Sequence, residues 1–305
     1  MNISVCIATF RRPGRLGALL DDLMLQSNAP SEIVIVDNDS AGSARTVVDR
    51  RRALGSTCPL RYAIQPLRNI SITRNATVAL ATGEWLAFVD DDERAPSNWL
   101  ATLADTVIRY DADGVTGPVA PGVPDDAPAW IRRGRFYDWA RMPTGTIVPL
   151  NKLRFGNVLL RGSLLRATPV PFDPAYGLTG GEDGDLLIRL VESGAKVVWC
   201  DEGFVHEPVE ASRLSLRWLL FRSLRGGQDF ARHRLAGRLG AVSAAGRCGF
   251  FLRAFGQAVV AAGLALVCLP AGRHRSAYWL FKLSANLGKM SAFAGWHYSE
   301  YGATR

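Results

Sequence analysis

The sequence has no CxxC pair, and its five cysteines are an odd number, which leaves neither a disulfide framework nor a cysteine-built zinc site to hold the chain together. Cys6 and Cys200 sit in apolar runs and are expected to be inert core, as in a reducing compartment. No GxGxxG and no GxxxxGK[ST] follows the first predicted strand, so neither the dinucleotide nor the P-loop way of cradling phosphate is available. Met1 to Ile7 carries no basic leader and is too short for the core of a signal peptide, so export by that route is not expected. Acid is scarce at one end. Residues 211–305 hold 14 Lys or Arg against 2 Asp or Glu, whereas the residues before them hold 22 against 26. The net charge of +8 therefore belongs to a basic tail on a mildly acidic body. A basic, apolar tail suits an anionic membrane rather than nucleic acid; an ordinary basic helical surface is the alternative. Core is not lacking, since 48% of the 305 residues are hydrophobic, enough for one large domain or a domain with an appendage.

What is present is a regular alternation. Ile3 to Thr9 is β-branched and alternating, and after Arg11-Arg12-Pro13-Gly14 the leucines at 16, 19, 20 and 23 take helical spacing. Glu32 to Asp37 is a second predicted strand, closed by a carboxylate and followed by a helix over 44–54. A third strand spans 60–65 and a third helix 71–81. Trp85 to Val89, bounded by Thr82-Gly83 and Pro96, is an apolar run too short for a helix and reads as a strand buried on both faces. A helix over 97–110 and strands near 114–119, 155–160 and 195–200 follow. Strands alternating with helices predict βαβ units and a mainly parallel, Rossmann-like α/β sheet flanked by helices. Residues 121–150 interrupt the pattern with five prolines and with Trp130, Phe136, Tyr137 and Trp139. This is rigid aromatic surface, suited either to holding a sugar or to packing beneath a long loop.

The run Trp85–Val89 delivers Asp90, Asp91 and Asp92 into a loop at a strand's carboxyl end, where ligands of open α/β sheets bind. Asp90 and Asp92 point the same way in extended backbone. Hard oxygen ligands of this kind suit Mg2+ or Mn2+, which take substrate phosphates as co-ligands. Arg11 or Arg74 would help such a metal meet phosphate charge. The plainer alternative is a solvated acidic turn that caps the next helix. A second cluster, Gly180-Gly181-Glu182-Asp183-Gly184-Asp185, falls at a helix start where the macrodipole favours carboxylate; an N-cap needs one acid, and three are there. His206, just after the last strand, is either a packed or capped residue or a further metal ligand.

These stretches together resemble family 2 glycosyltransferases of the GT-A fold, and among them the bacterial exopolysaccharide-type enzymes. The matching pieces are Val5-x-Ile7-x-Thr9-Phe10-x-Arg12, Ile35-Val36-Asp37-Asn38-x-Ser40, Arg74-Asn75 with Thr82-Gly83-Glu84, Phe88-Val89-Asp90-Asp91-Asp92, and Gly181-Glu182-Asp183-x-Asp185-Leu186. They cover about residues 1–210 in the family's order. The resemblance implies a GT-A catalytic domain over 1–210, with nucleoside contacts from Thr9, Arg11 and Asp37 and ribose contact from Asp90. Arg74 and Asp91 are expected to help bind the nucleotide-sugar. Asp92 is the implied metal ligand, with His206 as a further metal or diphosphate contact. Asp183 is the implied base, with Glu182 beside it at the catalytic end. Processive synthases of the family carry QxxRW. Here Leu214 stands where the Gln would precede Arg217-Trp218, which favours transfer of one sugar per cycle.

Residues 211–305 form the expected helical tail. The uncharged run Ala254–Leu269 is about 16 residues, short of the ~20 needed to span a bilayer. Arg247 and Arg253 precede it, and Arg273 and Arg275 follow. A re-entrant or interfacial anchor continued by an amphipathic segment over 278–296 is expected, with a helical cap on the catalytic domain as the alternative. The whole reads as an inverting transferase at the cytoplasmic face of the inner membrane, using Mg2+ or Mn2+ and a nucleotide-sugar donor expected to be UDP-linked. Its acceptor is expected to be a glycan or a polyprenyl-linked glycan, with no nucleic acid partner. The rivals are a catalytically inactive membrane scaffold, disfavoured because the expected carboxylates are all present, and a sugar nucleotidyltransferase, which would need a Gly-rich, Arg-containing opening that Thr9-Phe10-Arg11-Arg12 does not supply.

Overall fold

The computed structural model describes residues 1–55, 58–296 and 298. By contacts the chain divides into two units. One comprises Met1–Ala120 with Trp139–Glu207, and the other Pro121–Asp138 with Pro208–Ser299.

The first unit opens with β1 (Ile3–Thr9), α1 (Pro13–Met24), β2 (Glu32–Asp37), α2 (Arg45–Ala53), β3 (Leu60–Ile64), α3 (Ile70–Leu80), β4 (Trp85–Val89), α4 (Trp99–Arg109) and β5 (Gly114–Thr116). Every residue of β2 and β4 is buried, as a continuous apolar run covered by helices on both faces requires. Leu16, Leu19, Leu20 and Leu23 form the buried face of α1, and Trp99, Leu100, Leu103 and Val107 that of α4. After β6 (Val119–Gly122) and α5 (Ala129–Gly134) come β7 (Asn157–Arg161), α6 (Gly162–Arg166), α7 (Glu182–Glu192), β8 (Val197–Trp199) and β9 (Val205–Pro208). The sheet order is β3-β2-β1-β4-β7-β5-β8, and β6 pairs separately with β9.

The sheet is mainly parallel, as expected, with one reversed strand that makes it mixed: β7 runs antiparallel to both β4 and β5. No crossover helix spanning the sheet carries the chain from β5 back to the starting edge. β7 therefore re-enters from the edge where β5 ended and must run the opposite way. The consequence is local: the first residue of β7, Asn157, lies opposite Val89, the last of β4, so the chain just before β7 meets the loop just after β4. Asn157 is buried and fixes that meeting, accepting from the Trp99 indole and donating to the carbonyls of Pro118 and Gly203.

In the second unit the proline-rich stretch contains α5, which was expected to be irregular. Ile131 and Tyr137 pack there with Val209 and Leu219. The tail forms α8 (Leu216–Leu235), α9 (Ala244–Val267) and α10 (Arg273–Phe293). Ser215 and Ser243 cap the first two, accepting from the amides of Trp218 and Gly246. The apolar segment is longer than its uncharged core suggested. α9 runs 24 residues, because Arg247 and Arg253 are exposed and interrupt the apolar run without breaking the helix. α8 and α10 touch backbone to backbone. A methyl at Gly227 would strike the Ala285 carbonyl, and one at Gly288 the Leu224 carbonyl. Beside them Ser223 donates to the Phe281 carbonyl at 2.6 Å and Ser284 to the Leu220 carbonyl at 2.7 Å. Gly227→Ala is therefore expected to destabilise this unit by roughly 1–3 kcal/mol through overpacking; an unfolding midpoint equal to that of the parent chain would contradict this close approach.

Candidate active site

The carboxyl ends of β1, β2 and β4 fall at one edge of the sheet, and three loops leave from it. The third carries the acids. Its backbone turns at once, Glu93 N–H donating to the Asp90 carbonyl and the Glu93 carboxylate accepting from Asp90 N–H. The three aspartates are therefore dealt to three arginines. Asp91 and Asp92 share one terminal nitrogen of Arg12, at 2.9 and 3.0 Å, and Arg15 reaches Asp92 at 3.4 Å. Asp90 faces Arg74 at 3.2 Å. Glycine at 156 makes room for this turn, because a Cβ there would stand 3.0 Å from Glu93 Oε1 and 3.4 Å from Asp90 Oδ2.

Arg74 is the hub. It projects from α3, is 8% exposed, and donates to Glu182 at 2.6 Å as well as to Asp90. Its guanidinium lies over the Phe155 ring at 4.8 Å. The next residue, Asn75, exchanges hydrogen bonds with the backbone of Phe172, which seats that ring against Phe88 and Phe155. One Arg-Asn dipeptide thus joins the β4 acids to the chain leading into α7.

At the start of α7, Gly180 and Gly181 both take positive φ, 80° and 95°, a turn open to glycine and strained for most other residues. The three acids that follow have different fates. Glu182 is buried against Arg74. Asp185 is buried and bound to Arg189 one turn on, at 2.7 Å. Asp183 is 36% exposed at its side chain, accepts from Gly184 N–H, and lies 3.7 Å from Arg74. Of the three, Asp183 is the carboxylate with an open side.

The two remaining loops are more closed than expected. Thr9 donates its hydroxyl to Asp91 at 2.7 Å. Asp37 has no exposed surface and accepts from the amides of Asp39 and Ala44 and from the Tyr62 hydroxyl. Both side chains, expected to face a nucleoside, are engaged within the protein: Thr9 ties the end of β1 to the acid loop, and Asp37 shapes the loop after β2. The groups open to solvent nearby are Arg11, paired with Asp39 at 3.3 Å, and Phe10, against whose ring Arg11 and Arg68 both rest at 5.1 Å. His206 is tied to the acid loop through backbone, exchanging hydrogen bonds with Arg94, while its ring packs edge-on against Phe204. Among the described residues no three His, Cys, Asp or Glu side chains converge as a metal-binding group.

Asp90 lies deep but open. Half of its side chain, 49%, is accessible, yet protein walls surround it. Its carboxyl is pushed up to about 6, first by desolvation and then by Asp92, Asp91 and Asp183, against the pull of Arg74. Burial also raises Asp91, opposed by Arg12, and raises Glu93 well above the usual carboxylate range. A pKa above the unfolded value of about 3.9 means that ionising Asp90 works against folding as pH rises from about 4 to 6, with the full deficit above that. Asp90→Asn should therefore stabilise the metal-free protein at about pH 7.5, by about 1 kcal/mol once solvent screening of the half-open side chain is discounted, with no gain near pH 4. Urea midpoints at the two pH values measure this; equal gains at both would refute the electrostatic origin.

Several residues of the site carry no signal strong enough to find in sequence. Glu93 looks like one more acid in a run, and Arg15 like a helix-start cation. Arg154, whose guanidinium sits 4.6 Å over the Trp139 ring and whose charge interacts with that of Asp183, lies in a stretch with no motif at all.

The sequence matches the family model "Glycosyl transferase family 2" over residues 4–161. It is 30% identical to the succinoglycan biosynthesis protein ExoM of Rhizobium meliloti, across 99% of this chain and 96% of that protein. It is 24% identical to a glucosyl-dolichyl phosphate glucuronosyltransferase of Haloferax volcanii, across 74% and 75%. Among solved structures it resembles the mannosyltransferase PcManGT of Pyrobaculum calidifontis in complex with GDP-Man and Mn2+, with a TM-score of 0.63 at 17% identity over 95% of this chain and 87% of that one. It also resembles S. aureus TarS in complex with UDP-GlcNAc, at 0.55 and 16% over 97% and 92%. The fold is that of GT-A glycosyltransferases, and the chain belongs to glycosyl transferase family 2, as a glycosyltransferase of the bacterial exopolysaccharide type.

Proposed function

We propose that the protein transfers one sugar per cycle, with inversion, from a nucleotide-sugar donor to a glycan or polyprenyl-linked acceptor in cell-surface polysaccharide synthesis. The observation that carries this reading is the division of labour at α7, where Glu182 and Asp185 are held by arginines and Asp183 alone is left open. An acceptor hydroxyl needs a base. As its oxygen bonds to the anomeric carbon, its proton passes to the Asp183 carboxylate, and the bond from that carbon to the diphosphate breaks with its electrons leaving on the diphosphate. Attack from the side opposite the leaving group gives inversion.

The donor is read as UDP-linked. TarS in complex with UDP and UDP-GlcNAc supports this by fold, and Phe10 with Arg11 and Arg68 offers an aromatic and cationic wall for a nucleotide. Asp90 and Asp92 fit Mg2+ or Mn2+, which need one or two carboxylates beside substrate phosphates; the raised Asp90 carboxyl is one that a cation would favour in its ionised form. His206 is a further candidate ligand from the neighbouring strand. A bound metal would neutralise charge on the departing diphosphate. Arg12 and Arg15 hold Asp92 in place beside it. The tail's charge and exposed apolar helix support association with the cytoplasmic face of the inner membrane.

The test is a thermal-shift screen of nucleotide sugars with and without Mn2+. Ligand at 100 times its Kd stabilises by about 2.7 kcal/mol. A shift with UDP-sugars that depends on metal is expected. Binding confined to GDP-sugars would overturn the donor assignment, and binding without any hydrolysis or transfer would favour an inactive scaffold.

A further inference from the structure

α9 is built inside out. Its buried residues are Ala254, Ala258, Ala261 and Ala265, a stripe of small side chains at helical spacing. Its large residues face away, with Leu252, Val259, Val260, Leu266 and Val267 each more than half exposed. Among the described residues it is the one helix long and apolar enough to cross a membrane, and only 22% of its most apolar window is buried. A core helix of a water-soluble protein shows the opposite arrangement. Its neighbours are also joined in the manner of helices in lipid: glycines at the α8–α10 contact, and Ser223, Ser284 and Ser276 hydroxyls donating across to backbone carbonyls.

The occupant of the outward face can be argued from charge. Exposed Arg247 and Arg253 lie in its first half, and exposed Arg273 and Arg275 just beyond its end. A second copy of this face would bring these cations together, whereas anionic headgroups would meet them. The depth follows from the neighbours. α10 packs along both α9 and α8, so if α9 crossed the bilayer, Lys282, Lys289 and the arginines of α8 would be drawn in beside it. Each charge at the bilayer centre offsets roughly six apolar residues, more than the outward face supplies.

We infer that α9 lies in the plane of one leaflet of an anionic bilayer, with Leu252, Val259, Val260, Leu266 and Val267 among the acyl chains and Arg247, Arg253, Arg273 and Arg275 on phosphate headgroups. This rests on the membrane reading above and adds the segment, the headgroup class and the mode.

The test uses the full chain with preformed vesicles. Flotation with phosphatidylglycerol-containing vesicles and much weaker flotation with pure phosphatidylcholine is expected. Affinity should fall about fivefold for each of Arg253→Gln and Arg273→Gln, and at least tenfold for Val260→Asp with an unchanged melting temperature. For the mode, Ala241→Cys and Ala271→Cys, in a chain carrying Cys248→Ser and Cys268→Ser, are exposed to a membrane-impermeant maleimide in inverted inner-membrane vesicles. Both positions should react without detergent. Reaction at one position until detergent is added would overturn the in-plane mode and leave membrane association standing. Equal flotation on neutral vesicles would overturn the headgroup assignment. No flotation on either, with a dimer in detergent-free sedimentation, would overturn the inference and the membrane reading together, whatever the outcome of the donor screen.

Discussion

Asp183→Asn should lower kcat by at least ~10²–10⁴-fold while donor affinity stays within about twofold of the parent. The reason is geometric as much as chemical. Glu182 and Asp185 are each buried and bound by an arginine, so an acceptor hydroxyl reaches neither carboxylate without opening buried structure. Asp183 is open and spends its hydrogen bonding on the adjacent amide of Gly184. Asn retains the shape and an acceptor oxygen there, so α7 should begin as before. Glu182→Gln and Asp185→Asn serve as controls, since both should act on stability more than on chemistry. The measurement is kcat and KM for transfer beside the donor Kd from calorimetry. A parallel loss of donor binding would assign Asp183 to the donor side and send the search for the base elsewhere.

Arg74→Ala should cost about 3–5 kcal/mol of stability, the largest effect expected of any single substitution in the first unit. The side chain is buried with Glu182, which is 2% exposed, and its removal strands that carboxylate without its counter-charge. Contacts over the Phe155 and Phe172 rings go with it. The double variant Arg74→Ala with Glu182→Gln should be less destabilised than the sum of the two singles, because the stranded charge is then gone. Arg74→Lys should recover part of the stability and little activity, since a point charge cannot bridge Glu182 and Asp90 as a planar fork does. Equilibrium unfolding in urea reads all three. Additive losses would mean that Arg74 and Glu182 act independently, contrary to their 2.6 Å contact.

The ion pairs of the acid loop also show why Asp92→Ala is a poor probe of metal binding. From the sequence Asp92 reads as an exposed loop acid whose removal leaves the fold untouched. It is 8% exposed and holds Arg12 and Arg15. Asp92→Asn, which keeps the packing, separates metal affinity from folding.

Periodicity made the strands and helices of the first unit legible, because a buried strand of five apolar residues and a leucine-faced helix each carry their period in the residues themselves. Direction carries no such mark. β7 has the same apolar composition whether parallel or antiparallel, and only the path of the chain after β5 decides. The acids at Asp90–Asp92 and Glu182–Asp185 stood out as clusters. Which acid faces solvent was not legible, since that depends on Arg12, Arg74 and Arg189 arriving from other elements. Thr9 and Asp37 sit at strand ends, as ligand-binding residues do, yet their partners Asp91 and Tyr62 lie 82 and 25 residues away. In the tail the arginines hid the length of α9, because a charge that ends an apolar window does not end a helix when its side chain can reach water.

The α8–α10 contact repeats itself. Ser223 and Gly227 on one helix, and Ser284 and Gly288 on the other, stand at the same spacing, and each serine reaches a carbonyl three residues before its counterpart. The pair is thus a two-fold lock with one setting. Sliding either helix by a turn, about 5.4 Å, would carry Leu220 or Leu224 to where the backbones meet and open both latches at once. The hairpin cannot accommodate strain by creeping along its axis; it holds its alignment or comes apart. A substitution on one helix also has no local remedy, since the restoring change must arise sixty residues away on the other.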